Sequence, residues 1–105
     1  MSKKEIIETP ECRAFADTMN DAESREYVHL LYELRENGRL AYPDVEKVDR
    51  DLFALRVRVG GNARFFYCYD DGTAVWILNG YEKKSAKIPL QEIRQARNLK
   101  RKYGL

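Results

Sequence analysis

Residues 52–89 read LFALRVRVGGNARFFYCYDDGTAVWILNGYEKKSAKIP, and the periodicity of this stretch decides the fold. Phe53, Leu55, Val57 and Val59 alternate with Ala54, Arg56 and Arg58, the pattern of a half-buried strand. Gly60, Gly61 and Asn62 make a turn. Residues 63–69 are apolar on both faces except at Arg64, as a central strand would be. Asp70, Asp71 and Gly72 make the next turn, with an Asp-Gly pair suited to a tight hairpin. Residues 73–81 are again apolar on both faces, so this sheet needs cover on both sides. Arginines set between apolar neighbours must reach a partner, because isolated buried charge is costly.

The flanking sequence supplies the cover. Residues 4–8, with Ile6 and Ile7 adjacent, suit a short strand. Thr9 before Pro10 is a helix start: a capping oxygen, then a residue whose missing N–H costs nothing there. Cys12, Phe15, Ala16 and Met19 follow at helical spacing. Asn20 or Asp21 caps a second helix, with Glu23 placed for a capping box. Tyr27, Leu30, Leu31 and Leu34 form its buried face, and Glu23, Glu26, Glu33 and Glu36 its outer one. Gly38 closes it. Residues 39–51 hold Pro43 and show no clear period, so they are read as a surface connection. A last helix begins near Pro89, with Leu90, Ile93, Ala96, Leu99 and Tyr103 as its apolar stripe. Its other face carries Arg94, Arg97, Lys100, Arg101 and Lys102. The predicted order is β-α-α-β-β-β-α, a single α+β domain over residues 1–105 with a mainly antiparallel sheet.

Composition narrows the function. Charged residues make up 34% of the 105 positions and hydrophobic ones 44%, as in a soluble globular chain. No apolar run approaches the ~18 residues of a membrane span, and the start MSKKEIIETP lacks a secretory apolar region, so a cytoplasmic address and no membrane partner are expected. The net charge of +2 conceals a split: residues 1–55 carry eight Lys/Arg against thirteen Asp/Glu, and residues 56–105 carry eleven against four. A basic C-terminal half points to a polyanion. Cys12, Cys68 and the lone His29 lack metal-ligand spacing, so no metal site and no cofactor are expected. His29 is read as a helix-surface residue, and both cysteines as small buried groups.

The remaining chemistry lies in cations with aromatic neighbours. Arg56 and Arg58 share a strand face, Arg64 lies across the turn, and Lys83, Lys84 and Lys87 follow the last strand. Such groups grip phosphate oxygens and can stabilise charge that builds on phosphorus. Tyr81 could stack on a splayed base of single-stranded RNA.

Three patterns in this order, L-F-A-L-R-V-R, then G-N-A-R-F-F-Y, then G-Y-E-K-K-S-A-K-I-P before a basic helix, resemble the RelE/ParE superfamily of type II toxins, specifically its phage-derived HigB-like branch. The front half, E-I-I-E-T-P-E before a helical hairpin, fits as well. The resemblance implies a RelE-like fold and a toxin that cleaves mRNA on the ribosome without a metal. It also implies a cognate antitoxin, of helix-turn-helix type in the HigB-like branch. Residue by residue, Arg64 is the implied phosphate stabiliser, with Lys83, Lys84 and Tyr81 as further catalytic candidates. Arg56, Arg58, Lys87, Arg94 and Arg97 are the implied RNA-binding set. The chain departs from the family where other members carry a tyrosine or histidines near the last helix. It has Ile88 and Leu90 there, which leaves proton transfer unassigned. A gyrase-targeting toxin of the ParE type and a non-catalytic RNA-binding module are the alternative readings.

Overall fold

The computed structural model describes residues 3–105. Among them five strands and three helices run in the order β1 (Glu5–Glu8), α1 (Pro10–Ala16), α2 (Asp21–Asn37), β2 (Val45–Asp49), β3 (Leu52–Val57), β4 (Ala63–Tyr69), β5 (Ala74–Glu82) and α3 (Leu90–Lys102). The helix starts follow from their caps. Thr9 Oγ1 accepts from the Cys12 N–H at 3.0 Å, and Asn20 and Glu23 exchange both bonds of a capping box. Gly38 ends α2 in the left-handed conformation with φ 78°, which glycine adopts without steric cost.

The sheet order is β1-β5-β4-β3-β2. Only the β1–β5 pair is parallel; the other three pairs are antiparallel. The α+β class and the mainly antiparallel sheet are therefore as expected. The surface connection assigned to residues 39–51 is corrected: it contains the edge strand β2, bulged between Lys47 and Asp49. Val45 packs against the core of one sheet face and Val48 against that of the other. Each face thus receives one apolar side chain from β2, and no period of two shows in the sequence.

α1 and α2 cover one face, where Leu55, Val57, Phe65, Tyr67, Val75 and Ile77 pack against Cys12, Tyr27, Leu30 and Leu34. Tyr27 stacks on Phe65 at 4.3 Å between ring centroids, and Phe15 meets the same ring edge-on at 5.3 Å. Gly80 makes that approach possible, because a Cβ there would lie 2.3 Å from Phe15 Cδ2. α3 covers part of the other face, where Ala96 and Leu99 pack with Leu52, Ala54, Phe66, Cys68 and Leu78. Leu90, expected in its buried stripe, is exposed.

An irregularity between β4 and β5 decides which face Tyr81 takes. Phe65 pairs with Gly80 and Tyr67 with Ile77, so β5 carries one residue more than β4 across that interval. This bulge reverses the side-chain alternation of β5. Tyr81 consequently lies opposite Arg64, on the α3 side of the sheet rather than under the hairpin. The Asp70–Gly72 turn is also wider than a two-residue hairpin: residues 70–73 form the loop, and Asp70 Oδ1 accepts from the N–H groups of Gly72 and Ala74.

Candidate functional site

Thirteen residues of α3 extend about 20 Å at 1.5 Å per residue, too short to cover the whole second face. Beyond its N-terminal end, where Glu92 lies near Tyr81, the sheet turns polar. Arg56 of β3 lies opposite Arg64 of β4, which lies opposite Tyr81 of β5. Glu46 of β2, paired with Ala54, falls on the same face. A cleft of about 390 Å³ opens there, lined by Tyr42, Val45, Glu46, Lys47, Arg56, Arg64 and Lys83.

The cations of this cleft are incompletely satisfied. Arg64 is only 6% exposed, yet its Nε and Nη1 have no hydrogen-bond partner, and neither have Arg56 Nε and Tyr81 Oη. Burial, and then the neighbouring Arg56, lower the Arg64 pKa from its ordinary 12.5. Two guanidinium groups facing each other with open donors are costly alone, and an anion placed between them would complete them. The Glu46 carboxylate opposes the Arg64 charge from across the cleft.

Tyr81 is also buried, and burial pushes its phenol up to about 12, with Arg64 acting in the opposite sense. At neutral pH it is a hydrogen-bond donor and not a base. Its ring stacks on Phe66 at 5.2 Å and 19°. Tyr81 is 5% exposed with its ring against Phe66, so a base stacking on it would have to displace the side chains that cover it.

The other residues singled out in the sequence scatter. Lys83 lines the cleft, and its N–H donates to the Asn62 carbonyl at 2.8 Å. Lys84 and Lys87 are exposed in the segment before α3 and do not line the cleft. Arg58 lies beyond the end of β3 and pairs with Asp44 at 3.3 Å, while the N–H groups of Arg58 and Val59 bond the Glu26 carboxylate. The shared strand face proposed for Arg56 and Arg58 is thus corrected: the strand ends between them. Arg94 is exposed on α3, but Arg97 is paired with Asp49, Lys100 with Asp51 at 2.8 Å and Lys102 with Glu11 at 3.1 Å. Much of the basic helix face therefore holds the helix to its own protein.

Tyr42, Glu46 and Lys47 belong to the cleft and were not singled out, because they lie in the stretch read as a connection. The two valines flanking Glu46 and Lys47 were the available signal. Elsewhere, Tyr27 donates to Glu8 at 2.7 Å and contacts Cys12 Sγ at 3.1 Å, with Arg13 closing on Glu8 at 3.0 Å. Burial raises the Cys12 thiol to about 12 and the Cys68 thiol to about 11, so neither supplies a thiolate nucleophile. Among the described residues no group of three or more His, Cys, Asp or Glu side chains is placed to hold a metal ion, and no helix is long and apolar enough to cross a membrane.

Helical hairpin, mixed five-stranded sheet and a short third helix that leaves a cationic cleft uncovered together make the RelE-like fold. An arginine-substituted Escherichia coli toxin RelE in the free state superposes with a TM-score of 0.70 at 12% identity, covering 91% of this chain and 96% of that one. The archaeal RelE–RelB complex from Pyrococcus horikoshii gives 0.67 at 17% identity, with 80% and 99% covered. The YoeB dimer from Staphylococcus aureus gives 0.61 at 16% identity, with 80% and 100% covered. At these identities the likeness concerns the fold. The family follows from the sequence itself: residues 14–101 match the profile described as phage-derived protein Gp49-like, and the chain belongs to that family. No curated protein matches the sequence significantly.

Proposed function

We propose that this chain is the toxin of a type II toxin–antitoxin pair and acts as an endoribonuclease on mRNA engaged with the ribosome. The observation that carries the proposal is Arg64, nearly buried at 6% exposure with two guanidinium nitrogens unpartnered beside Arg56 and Lys83. A single phosphate seated there would receive forked donors from both arginines. Toxin–antitoxin complexes among the fold's solved examples support an antitoxin as partner. A helix-turn-helix type would accord with the HigB-like resemblance.

The chemistry can be written with the side chains of the cleft. Glu46 accepts the proton of the 2′-hydroxyl, whose oxygen attacks the adjacent phosphorus. The P–O5′ bond breaks, and Lys83 returns a proton to the departing 5′-oxygen, leaving a 2′,3′-cyclic phosphate and a 5′-hydroxyl. Arg64 and Arg56 stabilise the charge that grows on the non-bridging oxygens, and Tyr81 donates from beneath.

Induced expression should arrest growth, and primer extension should show cuts in translated messages. Arg64→Ala should abolish both, since removing one transition-state donor costs about a hundred- to a thousandfold. Undiminished toxicity of that variant would remove the proposed site. Intact messages with an induced DNA-damage response would replace the activity by a gyrase-directed one.

A further inference from the structure

Tyr42 is 83% exposed, yet it lines the same cleft as Arg56, Arg64 and Lys83. The residue stands in a short turn closed by the Asp44 N–H on the Ala41 carbonyl at 2.9 Å, directly ahead of β2. Asp44 also accepts from the Arg56 N–H at 2.9 Å, so this turn is hydrogen-bonded to the strand that carries the phosphate-facing arginine. An aromatic ring so exposed gains little from packing in the free protein. Other large rings on this side of the sheet are already stacked: Tyr81 lies on Phe66 and Trp76 against Tyr103. Tyr42 is the aromatic ring that the cleft leaves open.

We infer that Tyr42 is a nucleobase-stacking subsite: it takes the base of one nucleotide of single-stranded RNA while Arg64, Arg56 and Lys83 hold that nucleotide's phosphate. The inference rests on the proposed phosphate site and adds the second half of the nucleotide to it. A cleft of about 390 Å³ lies at the lower end of the range for small-ligand sites, enough for one nucleotide unit and not for a duplex. Stacking on a tyrosine face is tolerant of base identity, because every base has a π-face. The subsite would therefore select unpaired bases over paired ones and exert only modest preference among sequences.

The test is a fluorescence titration of a short single-stranded RNA carrying one 2-aminopurine, against the full chain and its Tyr42→Ala, Tyr42→Trp and Arg64→Ala variants. Tyr42 is exposed, so its variants should melt as the parent does. Stacking predicts that the parent and Tyr42→Trp quench the probe. Tyr42→Ala should lose the quenching and about tenfold or more in affinity, with its salt dependence unchanged. An RNA of the same length with an abasic unit at that position should bind the parent and Tyr42→Ala equally. If Tyr42→Ala binds and quenches like the parent while Arg64→Ala binds weakly, the stacking subsite is overturned and the phosphate site stands. If Arg64→Ala also binds like the parent, or the parent binds no RNA, the nucleotide subsite falls, while the ribosome-directed activity stands or falls by primer extension on translated messages.

Discussion

Tyr81 bears opposite consequences for stability and for function, and the two can be measured separately. Its hydroxyl is buried without a partner, a condition that costs a folded chain roughly 1–3 kcal/mol. Tyr81→Phe keeps the ring on Phe66 and deletes the orphaned group, so it should stabilise the free protein by about 1 kcal/mol in denaturant melts. The same change removes the hydroxyl that the proposed mechanism uses as a donor, and cleavage should fall roughly ten- to a hundredfold. A destabilised Tyr81→Phe would show that the hydroxyl is partnered in solution. Gly80, one position earlier, is a purely steric case. A Cβ would meet Phe15 Cδ2 at 2.3 Å and Phe65 Cε2 at 2.9 Å. Gly80→Ala must displace the Phe15 or Phe65 ring and should cost roughly 1–3 kcal/mol; an unchanged melting temperature would mean that Phe15 turns aside freely. Neither effect could be read from the sequence, since Tyr81 and Gly80 take their faces from a bulge whose position no local pattern declares.

At the scale of elements, α3 is joined to the rest of the fold by surface ion pairs as well as by packing. Lys102 and Tyr103 both reach Glu11 of α1, at 3.1 and 3.0 Å, and Lys100 reaches Asp51. The Glu11 carboxyl lies below its ordinary 4.5, through its own backbone bond first and Lys102 next. Asp51 lies below 3.8, chiefly through Lys100. A carboxyl with a depressed pKa contributes stability that is complete above its unfolded value and is lost as pH falls through the folded one. Acid below about pH 4 should therefore loosen α3 while the sheet persists. Trp76, packed on Tyr103 at 5.5 Å, should report this in its fluorescence before far-ultraviolet circular dichroism changes, and Glu11→Gln should show the loosened signal already at neutral pH. One coincident transition by both probes would contradict it. Caps and stripes made α1, α2 and α3 legible in the sequence, and alternation did the same for β3. β2 was not legible, because an edge strand serving two faces with two valines leaves no alternation, and with it went Tyr42, Glu46 and Lys47 of the cleft. Glu46, the base of the proposed proton transfer, thus lies in a segment that carries no pattern to mark it.

For the molecule as a whole, the split between an acidic half and a basic half has two destinations, which the sequence alone could not separate. One part of the basic half folds back on the acidic half: Arg97 to Asp49, Lys100 to Asp51, Lys102 to Glu11. The other part, Arg56, Arg64 and Lys83, surrounds the cleft, where Glu46 is the carboxylate set among them. A polyanion should thus be held at the cleft end of the sheet and not along α3. Salt dependence distinguishes the two, because each phosphate neutralised on a single strand contributes about 0.7 to the slope of log K against log salt. Lys83→Ala should lower that slope by about this amount for a short single-stranded RNA. Arg97→Ala should leave it unchanged, since its partner is already within the protein. If Arg97→Ala lowered the slope and Lys83→Ala did not, the polyanion would lie along the helix, and the cleft would have to be assigned to something other than RNA.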